Sequence, residues 1–431
     1  MNSSHDRPEA GSPLAISVVG LGYVGLPLAV ALARHFPVTG YDNSTKRVSE
    51  LRDGIDRTNE VSSETLRASR LRITGDDREI AESAVFIVTV PTPVDSANQP
   101  DLGAVLGACK AVGSRLGKGA IVVFESTVYP GVTEEICGPA LEAASGLAAG
   151  RDFYLGYSPE RINPGDREHT IERITKVIAG QTPAVVETLR KVYGALTNGN
   201  VFVARDIKTA EAAKVIENAQ RDINVAFINE VTMIFQKLGL SVHDVLDAAG
   251  TKWNFLRFTP GLVGGHCIGV DPFYLAHRAT EIGHHPEVIL AGRQINDSMG
   301  AFVAQCIDAR VKRKARILVL GLAFKENVPD IRNTKVVDIV NGLKKAGHDV
   351  VVHDPLADPI EANQHYGIIP QRTLDGLGEF DAVVGAVAHS DYRAFSAAAL
   401  ERLLTPDGLV ADVKAIWRGL DLAKGIRRWE L

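Results

Sequence analysis

The fold of this chain is decided near its start, where residues 15–25 read Ala15-Ile16-Ser17-Val18-Val19-Gly20-Leu21-Gly22-Tyr23-Val24-Gly25. Five mostly apolar residues predict a buried strand, and three spaced glycines predict a tight turn into a helix. Gly20 permits the turn, Gly22 lets a phosphate approach the backbone, and Gly25 lets the helix pack closely on the sheet. Amide groups at the start of that helix would hold the phosphates of a dinucleotide.

The second predicted strand, Val38–Tyr41, ends at Asp42, where a dinucleotide-binding fold places the carboxylate that accepts the ribose hydroxyls. That carboxylate would repel a 2′-phosphate, so the pattern favours NAD over NADP. Arg47 either flanks the adenosine or is a solvated helix residue. Prolines after the strand Val85–Val90 and a hydroxyl after the strand Ala120–Phe124 lie where open parallel sheets bind ligands. The predicted cofactor contacts are Gly20, Gly22, Tyr23, Val24, Gly25, Asp42, Arg47, Pro91, Thr92 and Thr127.

Composition narrows the class of partner. The formal net charge is −5 and no Lys/Arg cluster dominates, so nucleic acid, which calls for a basic stripe, is not an expected partner. The four cysteines lie far apart, which predicts no structural metal and fits a reducing cytoplasm. Glycines interrupt the uncharged stretch Pro13–Ala33, which favours a strand, turn and helix over a membrane span. Cys109, Cys137 and Cys306 are expected to be buried, inert thiols.

The remaining pattern predicts an α/β chain with two Rossmann-like, doubly wound parallel-sheet domains joined by a helical middle domain with a long central helix. Asp206–Leu238 contains no Gly or Pro and predicts that helix, about 50 Å long, with a face for dimerisation. Ser241–Ala249 predicts a second helix, Thr251–Pro272 a loop, and residues 286–311 a third helix. The expected divisions are a flexible tail at 1–13, an NAD-binding domain at 14–205, a central domain at 206–311 and a second Rossmann-like domain at 312–431.

Apolar runs of strand length recur through both predicted sheet domains. In the first, strands are predicted at Ala15–Val19, Val38–Tyr41, Arg72–Thr74, Val85–Val90, Ala120–Phe124, Phe153–Tyr157 and Ile174–Ile178. In the second, strands are predicted at Arg316–Leu320, Val350–His353, Asp381–Val387 and Leu409–Asp412, with a helix at Thr334–Ala346. Such runs, joined by helices, predict parallel sheets covered on both faces.

The centre of the chain carries a thiol in an unusual setting. Cys267 lies in a glycine-rich segment and is followed four residues later by Asp271. A thiolate at this position would be a nucleophile. His266 and the loop amides are candidates to stabilise that thiolate, although His266 also fits a structural role.

Other polar residues suit the remaining steps of such chemistry. Lys214 and Asn218 are one helical turn apart, so both can donate hydrogen bonds to one developing oxyanion; a solvated surface lysine is the alternative. Glu160 follows a strand and is either a general base or an exposed loop residue. Thr127 follows another strand, where it either touches the nicotinamide or a catalytic water or closes a turn.

A second anion site is predicted near the C-terminus. The strand Arg316–Leu320 is followed by Gly321, Lys325 and Arg332. Two cations at the mouth of a parallel sheet suit a diphosphate. The glycine motif is incomplete there, so a nucleotide diphosphate is favoured over a second NAD, with surface ion pairing as the alternative.

Together these segments carry a family resemblance. From Ile16 to about Trp417 the chain resembles the UDP-glucose/GDP-mannose dehydrogenase family, whose order and spacing of motifs it repeats. The matching segments are Gly20–Gly25, Ser126–Val128, Ser158–Glu160, Ala212–Asn218, Gly265–Asp271 and Gly321–Arg332.

The resemblance implies an NAD-dependent enzyme that oxidises the C6 alcohol of a UDP-sugar twice, to the uronic acid. Cys267 would hold the intermediate as a thiohemiacetal and then as a thioester. Glu160 would activate the water that releases the product, while Lys214 and Asn218 would stabilise the oxyanions. Thr127 and Asp271 would order the water and assist proton transfer. The implied catalytic residues are Cys267, Lys214, Asn218, Glu160, Asp271 and Thr127.

Two segments favour the branch of the family that acts on UDP-N-acetylhexosamines, namely Asn254–Phe258 and Gly265–Pro272. Glucose-type enzymes commonly have Lys where this chain has Val270, and a second glutamate in the region of Arg161–Pro164, so the details of water activation differ here. UDP-GlcNAc or UDP-GalNAc is the expected substrate, for surface polysaccharide, and the C4 epimer stays open.

The same resemblance implies the substrate contacts and a homodimer. In this family the loop that holds Arg257 can reach the sugar site of a neighbouring subunit. Lys325 and Arg332 would hold the UDP moiety. The implied substrate contacts are Glu160, Arg161, Lys214, Asn218, Arg257, Gly264, Phe324, Lys325 and Arg332.

Three alternatives are weighed against this reading. One is a UDP-glucose 6-dehydrogenase. Another is a two-electron 3-hydroxyacid dehydrogenase, which shares the N-terminal domain and a Lys and Asn on a long helix but needs no thiol. The last is a catalytically silent nucleotide-binding protein, which would need neither the thiol nor the polar residues around it.

Overall fold

The computed structural model describes residues 14–161, 170–311 and 314–431. The predicted tail at 1–13 lies outside these residues, as do residues 162–164 of the segment that departs from glucose-type enzymes. Backbone contacts divide the chain into two units. The first runs to Glu217 and includes Phe273–Gly283, and the second comprises Asn218–Pro272 and His284–Leu431. The predicted domain boundaries stay predictions.

An eight-stranded sheet forms the centre of the first unit. Its strands are β1 (Ile16–Val19), β2 (Val38–Tyr41), β3 (Arg72–Thr74), β4 (Val85–Val88), β5 (Ile121–Phe124), β6 (Tyr154–Tyr157), β7 (Lys176–Gly180) and β8 (Val201–Val203). They lie in the order β3-β2-β1-β4-β5-β6-β7-β8. β1, β4 and β5 are adjacent and parallel, with Ile16 opposite Val85 and Val85 opposite Ile121, so their carboxyl ends meet at one edge. All three strands are buried along their whole length.

Helices connect these strands. They are α1 (Gly25–Leu32), α2 (Thr45–Arg52), α3 (Ser63–Ala68), α4 (Gly103–Gly113), α5 (Gly138–Ser145) and α6 (Pro183–Leu196), with a 3-10 turn at Asp77–Ile80 and a π-helical turn at Val132–Cys137. Ser44, Ser62 and Thr182 precede α2, α3 and α6, and each side chain accepts a hydrogen bond from a first-turn amide. Such caps begin a helix at a defined residue.

One pair of strands departs from the predicted all-parallel sheet. β7 runs antiparallel to β6, with Gly156 opposite Gly180, whereas the other neighbouring strands are parallel. The described residues between the two strands contain no helix, and a parallel return needs a crossover of a dozen or more residues, usually helical. β8 is a strand that the sequence did not predict, because its three residues are too short to show a period.

The long helix was predicted at Asp206–Leu238, and the structure confirms it as α7 (Ile207–Leu238). Asp206 accepts a hydrogen bond from the Thr209 amide at 2.7 Å, which is the geometry of an N-cap. Gly239 ends the helix with a φ of +68°, a conformation that costs glycine little. Its 32 residues span about 48 Å.

The second unit contains a five-stranded parallel sheet with helices before and between its strands. The helices are α8 (Val242–Ala249), α9 (Asp271–Glu281), which continues into the first unit, α10 (Glu287–Asp308), α11 (Val336–Lys345), α12 (Pro359–Tyr366), α13 (Ser390–Arg393) and α14 (Ala397–Glu401). The strands are β9 (Arg316–Leu320), β10 (Asp349–His353), β11 (Phe380–Gly385), β12 (Leu404–Asp412) and β13 (Arg427–Glu430), in the order β10-β9-β11-β12-β13.

Two elements of the second unit differ from expectation. The predicted loop Thr251–Pro272 is irregular only to Val270, and α9 begins at Asp271. An acidic residue followed by proline is a helix-start signal that the glycine-rich setting obscured. β13 was also not predicted, because its two arginines and its glutamate are typical of an exposed surface segment.

The expected fate of three cysteines is largely confirmed. Cys109 in α4 and Cys137 in the π-helical turn are fully buried. Cys306 in α10 is only half-buried, although burial raises the pKa of its thiol. All three are therefore poor nucleophiles.

Glycines let α10 and α11 pack closely against each other. A Cβ at Gly300 would lie 2.5 Å from the Cβ of Asp338 and 3.0 Å from the carbonyl oxygen of Lys335. A Cβ at Gly342 would lie 2.6 Å from the Cβ of Ala304. The backbone of each glycine therefore lies so close to the opposite segment that no Cβ would fit there.

Gly300→Ala should destabilise the second unit by about 1–3 kcal/mol, because the added methyl forces α10 and α11 apart. Gly292→Ala in the same helix is the control, since its Cβ would find ordinary contacts at 3.5 Å and the helix gains propensity. Trp253, Trp417 and Trp429 all lie in the second unit, so urea unfolding followed by tryptophan fluorescence reports on it. Equal midpoints for the two variants would contradict the packing argument.

Candidate active site

The glycine turn after β1 has three glycines with different constraints. Gly20 has a φ of +94°, and a Cβ at Gly25 would lie 1.9 Å from the Gly20 carbonyl oxygen and 2.3 Å from the Thr89 hydroxyl. Gly25 is therefore required by packing within the protein. A Cβ at Gly22 would meet nothing within 4 Å. No protein atom requires a glycine at this position. The open side of Gly22 therefore leaves space in which a ligand would lie against the backbone.

The carboxylate after β2 braces this turn. Asp42 accepts hydrogen bonds from the amides of Leu21 at 2.8 Å and Ser44 at 2.9 Å. Arg47 donates from Nε to the Leu21 carbonyl oxygen at 2.8 Å and from a terminal nitrogen to Asp56, also at 2.8 Å. Although burial opposes it, hydrogen bonds from Thr58 and Arg47 lower the pKa of Asp56. Arg47 is buried, so the alternative of a solvated helix residue is wrong.

These residues fit NAD. Val24 precedes α1 without a side-chain cap, and it is half-buried, as is Tyr23. Amide groups at the start of a helix bind phosphates, so the start of α1, next to the open side of Gly22, suits the two phosphates. Asp42 keeps lone pairs on both oxygens for the ribose hydroxyls, since each oxygen accepts only one hydrogen bond from the described backbone.

The loops after β4 and β5 meet beside this turn. The Ser126 hydroxyl donates to the Val90 carbonyl oxygen at 2.6 Å, which joins the two loops. Thr127 and Thr92 are half-buried, and Pro91 is exposed. The carboxyl edge of the sheet thus holds together all the residues that the sequence assigned to the cofactor in this unit.

Glu160 follows β6 and is held by its surroundings. One carboxylate oxygen accepts a hydrogen bond from the Arg161 amide at 2.6 Å, and the other lies 3.8 Å from the ammonium of Lys176. Lys176 is in turn 2.6 Å from Glu125, whose second oxygen accepts from the Tyr193 hydroxyl at 2.6 Å. The exposed-loop alternative for Glu160 is wrong, because its side chain is only 13% accessible.

Sequence reasoning missed these three supporting residues. Glu125 directly follows the apolar strand β5, Lys176 is the first residue of β7, and both side chains are essentially inaccessible to solvent. A charge inside a buried strand must have a partner. That signal was present in the sequence, but it does not say which charges meet.

Arg161 is occupied by the protein. Its guanidinium donates to the Thr175 carbonyl oxygen at 2.8 Å and pairs with Glu217 of α7 at 2.8 Å. It therefore holds the segment after β6 against the long helix. Its predicted contact with substrate stays a prediction.

Lys214 and Asn218 lie one turn apart on α7, and both are nearly inaccessible to solvent. The solvated-lysine alternative for Lys214 is therefore wrong. The Asn218 amide donates to the carboxylate of Asp271 at 2.5 Å, so the carboxylate at the start of α9 has a fixed orientation. A buried carboxylate with such a partner can take part in proton transfer.

The thiol loop ends where α9 begins. The Cys267 carbonyl oxygen accepts hydrogen bonds from the amides of Val270 at 3.0 Å and Asp271 at 2.8 Å. This turn places the half-buried Cys267 and the carboxylate of Asp271 on successive turns of one short segment. The arrangement joins a thiol to a carboxylate through a hydrogen-bonded backbone turn.

The same loop is seated on the second sheet. A Cβ at Gly264 would lie 2.7 Å from the Asn333 carbonyl oxygen, and a Cβ at Gly265, where φ is +81°, would lie 2.7 Å from the Phe324 ring. The Asn333 side-chain amide also donates to the Gly265 carbonyl oxygen at 3.2 Å. Two adjacent glycines are therefore needed for the loop to approach this closely.

His266 faces the second sheet. Its ring packs edge-on against Phe324, and Nδ1 lies 3.8 Å from a carboxylate oxygen of Asp330. Asp330 is also bound by Arg332, from Nε at 2.9 Å. Although burial opposes it, the hydrogen bonds from Arg332 lower the pKa of the Asp330 carboxyl. Arg332 thus makes the ion pair that was the alternative to its predicted role in diphosphate binding.

A cleft opens at this edge of the second sheet. Its walls include Gly264, Phe324, Lys325, Glu326 and Lys414. Lys414 was not predicted from the sequence, and burial lowers the pKa of its ammonium. Three lysines line the cleft, Lys325, Lys335 and Lys414, against one carboxylate, Glu326, and this excess of positive charge suits a diphosphate.

The second glycine turn is closed to a dinucleotide. Asp354 follows β10 as Asp42 follows β2, but one of its oxygens accepts hydrogen bonds from the amides of Leu322 at 2.6 Å and Ala323 at 2.9 Å. That oxygen also lies 3.2 Å from His389. Although burial opposes it, His389 and these amides lower the pKa of Asp354 well below its usual range. The loop amides that would bind phosphates are therefore used internally.

Arg257 and the long helix present surface groups. The Arg257 guanidinium covers Gly250, where a Cβ would approach it to 2.5 Å. Phe227, Ile234 and Leu238 of α7 are large apolar side chains on one face of the helix, and each is about half accessible or more. A long apolar helix face of this kind is typical of an interface.

The described residues contain neither a metal-binding group nor a membrane-spanning helix. No group of three His, Cys, Asp or Glu side chains there is arranged to hold a metal ion. No helix within 14–161, 170–311 or 314–431 combines the length and apolar character needed to cross a membrane.

The geometry can be compared with known families. Residues 14–197 match the NAD binding domain of the UDP-glucose/GDP-mannose dehydrogenase family, residues 208–298 match its central domain, and residues 318–419 match its UDP binding domain. The three matches follow one another along the chain and cover most of it.

Individual relatives point to the same family as these three matches. The chain is 50% identical to the UDP-N-acetyl-D-glucosamine 6-dehydrogenase of Pseudomonas aeruginosa over 408 residues, which are 93% of this chain and 96% of that protein. It is 48% identical to the enzyme of the same name from Salmonella typhi, covering 88% and 90% of the two chains. Among solved structures it resembles the UDP-D-ManNAc dehydrogenase of Pyrococcus horikoshii, with a TM-score of 0.86 at 29% identity, over 96% of this chain and 98% of that one.

Gly22→Ala should weaken NAD binding by about tenfold or more without changing thermal stability, because the added methyl fills ligand space but touches no protein atom. Gly25→Ala should instead lower stability, since its methyl would overlap the Gly20 carbonyl. Titration calorimetry with NAD and thermal unfolding separate the two effects. Gly107→Ala, at an open position in α4, is the control for both. Unchanged NAD affinity in Gly22→Ala would mean that the phosphates bind elsewhere.

Proposed function

Because the chain belongs to the UDP-glucose/GDP-mannose dehydrogenase family, we propose that it is a UDP-N-acetylglucosamine 6-dehydrogenase. The enzyme is an NAD-dependent nucleotide-sugar dehydrogenase. The proposed reaction is the four-electron oxidation of the C6 hydroxymethyl group to a carboxylate. The choice of sugar is supported by the 48–50% identity to two relatives named for UDP-N-acetyl-D-glucosamine.

The observation that carries the covalent mechanism is the local arrangement of Cys267, Asp271 and Asn218. A thiol lies one turn before a carboxylate that a buried amide holds at 2.5 Å. A two-electron alcohol dehydrogenase has no use for this thiol. An enzyme that must retain an aldehyde between two oxidations does.

NAD supplies the hydride acceptor for each of the two oxidations. After the first oxidation, the Cys267 sulfur bonds to the aldehyde carbon and the thiol proton passes to the carbonyl oxygen, which gives a thiohemiacetal. The second oxidation converts this adduct to a thioester. Water then attacks the thioester carbon, the carbon–sulfur bond breaks, and the thiol and the uronate are released.

The remaining catalytic residues serve these steps in our proposal. Glu160 takes the proton from the attacking water, and Lys214 and Asn218 donate hydrogen bonds to the oxyanions at C6. Asp271 accepts protons near the thiol, and Thr127 orders the water. The low accessibility of Lys214 and Asn218 supports these roles, because hydrogen bonds in a dry site stabilise charge more than exposed ones do.

The UDP moiety is assigned to the cleft of the second unit. Lys325 and Lys414 face a diphosphate there, and Phe324 and Gly264 shape the wall next to the thiol loop. Arg332 joins the substrate only if it leaves Asp330, and Arg161 only if it leaves Glu217. We therefore expect Arg332 and Arg161 to contribute less to substrate binding than Lys325 and Lys414.

The assembly and setting follow from the same proposal. We infer a homodimer formed through the apolar face of α7 (Phe227, Ile234, Leu238), with Arg257 offered to the partner. We also infer a cytoplasmic enzyme of surface polysaccharide synthesis, since its cysteines form no disulfide framework in the sequence and a UDP-uronate is a sugar donor.

The wild-type protein should release about two NADH per UDP-GlcNAc converted, with the uronate identified by mass spectrometry. UDP-Glc, UDP-GalNAc and GDP-Man in parallel reactions decide the sugar. Cys267→Ala should lose uronate formation by about a thousandfold or more, while slow oxidation to the aldehyde level persists. Cys306→Ala, which removes the other half-buried thiol, is the matched control and should keep both activities. Release of uronate by Cys267→Ala at the wild-type rate would refute the covalent route.

A further inference from the structure

A buried chain of polar groups extends behind Glu160 in the first unit. The Tyr193 hydroxyl donates to Glu125 at 2.6 Å, the Lys176 ammonium binds the other oxygen of Glu125 at 2.6 Å, and the same ammonium lies 3.8 Å from Glu160. The side chains of Lys176 and Glu125 are 1% and 0% accessible. Such a chain is costly to bury and does not contribute to an apolar core.

This buried group of polar side chains contains one ammonium and two carboxylates. The ammonium of Lys176 lies 2.6 Å from Glu125 and 3.8 Å from Glu160, so Glu125 is the nearer carboxylate. Burial opposes ionisation of Lys176, but Glu125 and Glu160 together raise the pKa of its ammonium. Lys176 is therefore positively charged, and its field acts on Glu160 through protein rather than through water.

Among the groups that the structure describes around Glu160, Arg161 does not replace this ammonium. Arg161 is directed to the Thr175 carbonyl oxygen and to Glu217 of α7. Within residues 14–161 and 170–311, the titratable and charged groups recorded near Glu160 are Lys176 from β7, Glu125 after β5, Tyr193 from α6, and Arg161 beside it with Glu217 from α7.

We propose that Lys176 is a positioning residue for the hydrolytic step: anchored by Glu125 and Tyr193, its ammonium holds and orients the carboxylate of Glu160. The inference rests on the proposed function, in which Glu160 takes a proton from water. A general base works only when ionised, so the charge of the neighbouring ammonium bears on the acidic limb of the hydrolysis rate. The Arg161 amide at one oxygen and Lys176 at the other fix the plane of the carboxylate.

Substitutions of Lys176 and Glu125 should move the acidic limb of the hydrolysis rate in opposite directions. Lys176→Met removes the positive charge beside Glu160, so the acidic limb of the rate profile should shift to higher pH by about one unit. Glu125→Gln removes the competing carboxylate and leaves the ammonium to Glu160, so the limb should shift to lower pH by about half a unit. A merely structural role would lower stability in both variants but would not give shifts of opposite sign.

The experiment follows the release of uronate from the Cys267-bound acyl enzyme by quenching and mass spectrometry, from about pH 5 to about pH 9. Because Lys176→Met leaves Glu125 buried without its cation, the double variant Lys176→Met/Glu125→Gln is measured as well. It buries neither charge and should keep an upward shift of about half a unit. Asp222→Asn, which breaks the buried pair with Arg293 in the second unit at 2.7 Å, is the control for destabilisation and should leave the limb in place.

The possible results decide between the claims. Opposite shifts of the acidic limb in Lys176→Met and Glu125→Gln support the inference, and so does an upward shift in the double variant if Lys176→Met does not fold. An active wild type whose limb stays in place, or shifts the same way in both single variants, overturns the inference but leaves the proposed function intact. A wild type that forms no NADH with any UDP-sugar overturns the proposed function, and the inference with it.

Discussion

The close approach of Gly25 to the carbonyl of Gly20 is the contact on which the first unit depends. It lets α1 begin directly at the carboxyl end of β1, where a side chain would overlap the backbone. The Thr89 hydroxyl binds the same carbonyl at 2.7 Å, so β4 is fixed to the turn as well. Because β5 lies next to β4, the loops that hold Thr127 and, further along the sheet, Glu160 are built outward from this single contact.

Both sheets have a carboxylate bound to a glycine turn, but the two turns differ in their free hydrogen-bonding capacity. In each, a carboxylate after the second strand of the unit's first parallel pair binds the amides of the glycine turn. Asp42 binds one amide of the turn and keeps capacity for a ribose, whereas Asp354 binds two and also contacts His389. The first turn can therefore accept a dinucleotide, and the second is a brace beside a lysine-lined cleft. The difference lies in one amide and one imidazole rather than in the fold.

Local signals made much of this structure predictable. The bounds of α7 follow from the cap at Asp206 and the glycine at Gly239, and most strands follow from apolar runs between turn residues. The order of the family's motifs gave the candidate site its residues. What could not be predicted depends on pairing at long range: the antiparallel return of β7, the partners of Lys176 and the position of Lys414 in the cleft. A single sequence shows that a charge lies in a strand, but only the fold shows which charge it meets.

The seating of the thiol loop on Phe324 has a consequence for redesign. Gly264 and Gly265 touch the wall of the nucleotide cleft through backbone, so the cleft and the segment carrying Cys267 share one surface. A substitution of Phe324 would therefore displace the segment that carries Cys267 as well. Redesign of this part of the scaffold has to treat Phe324 and the loop from Gly264 to Cys267 as one unit.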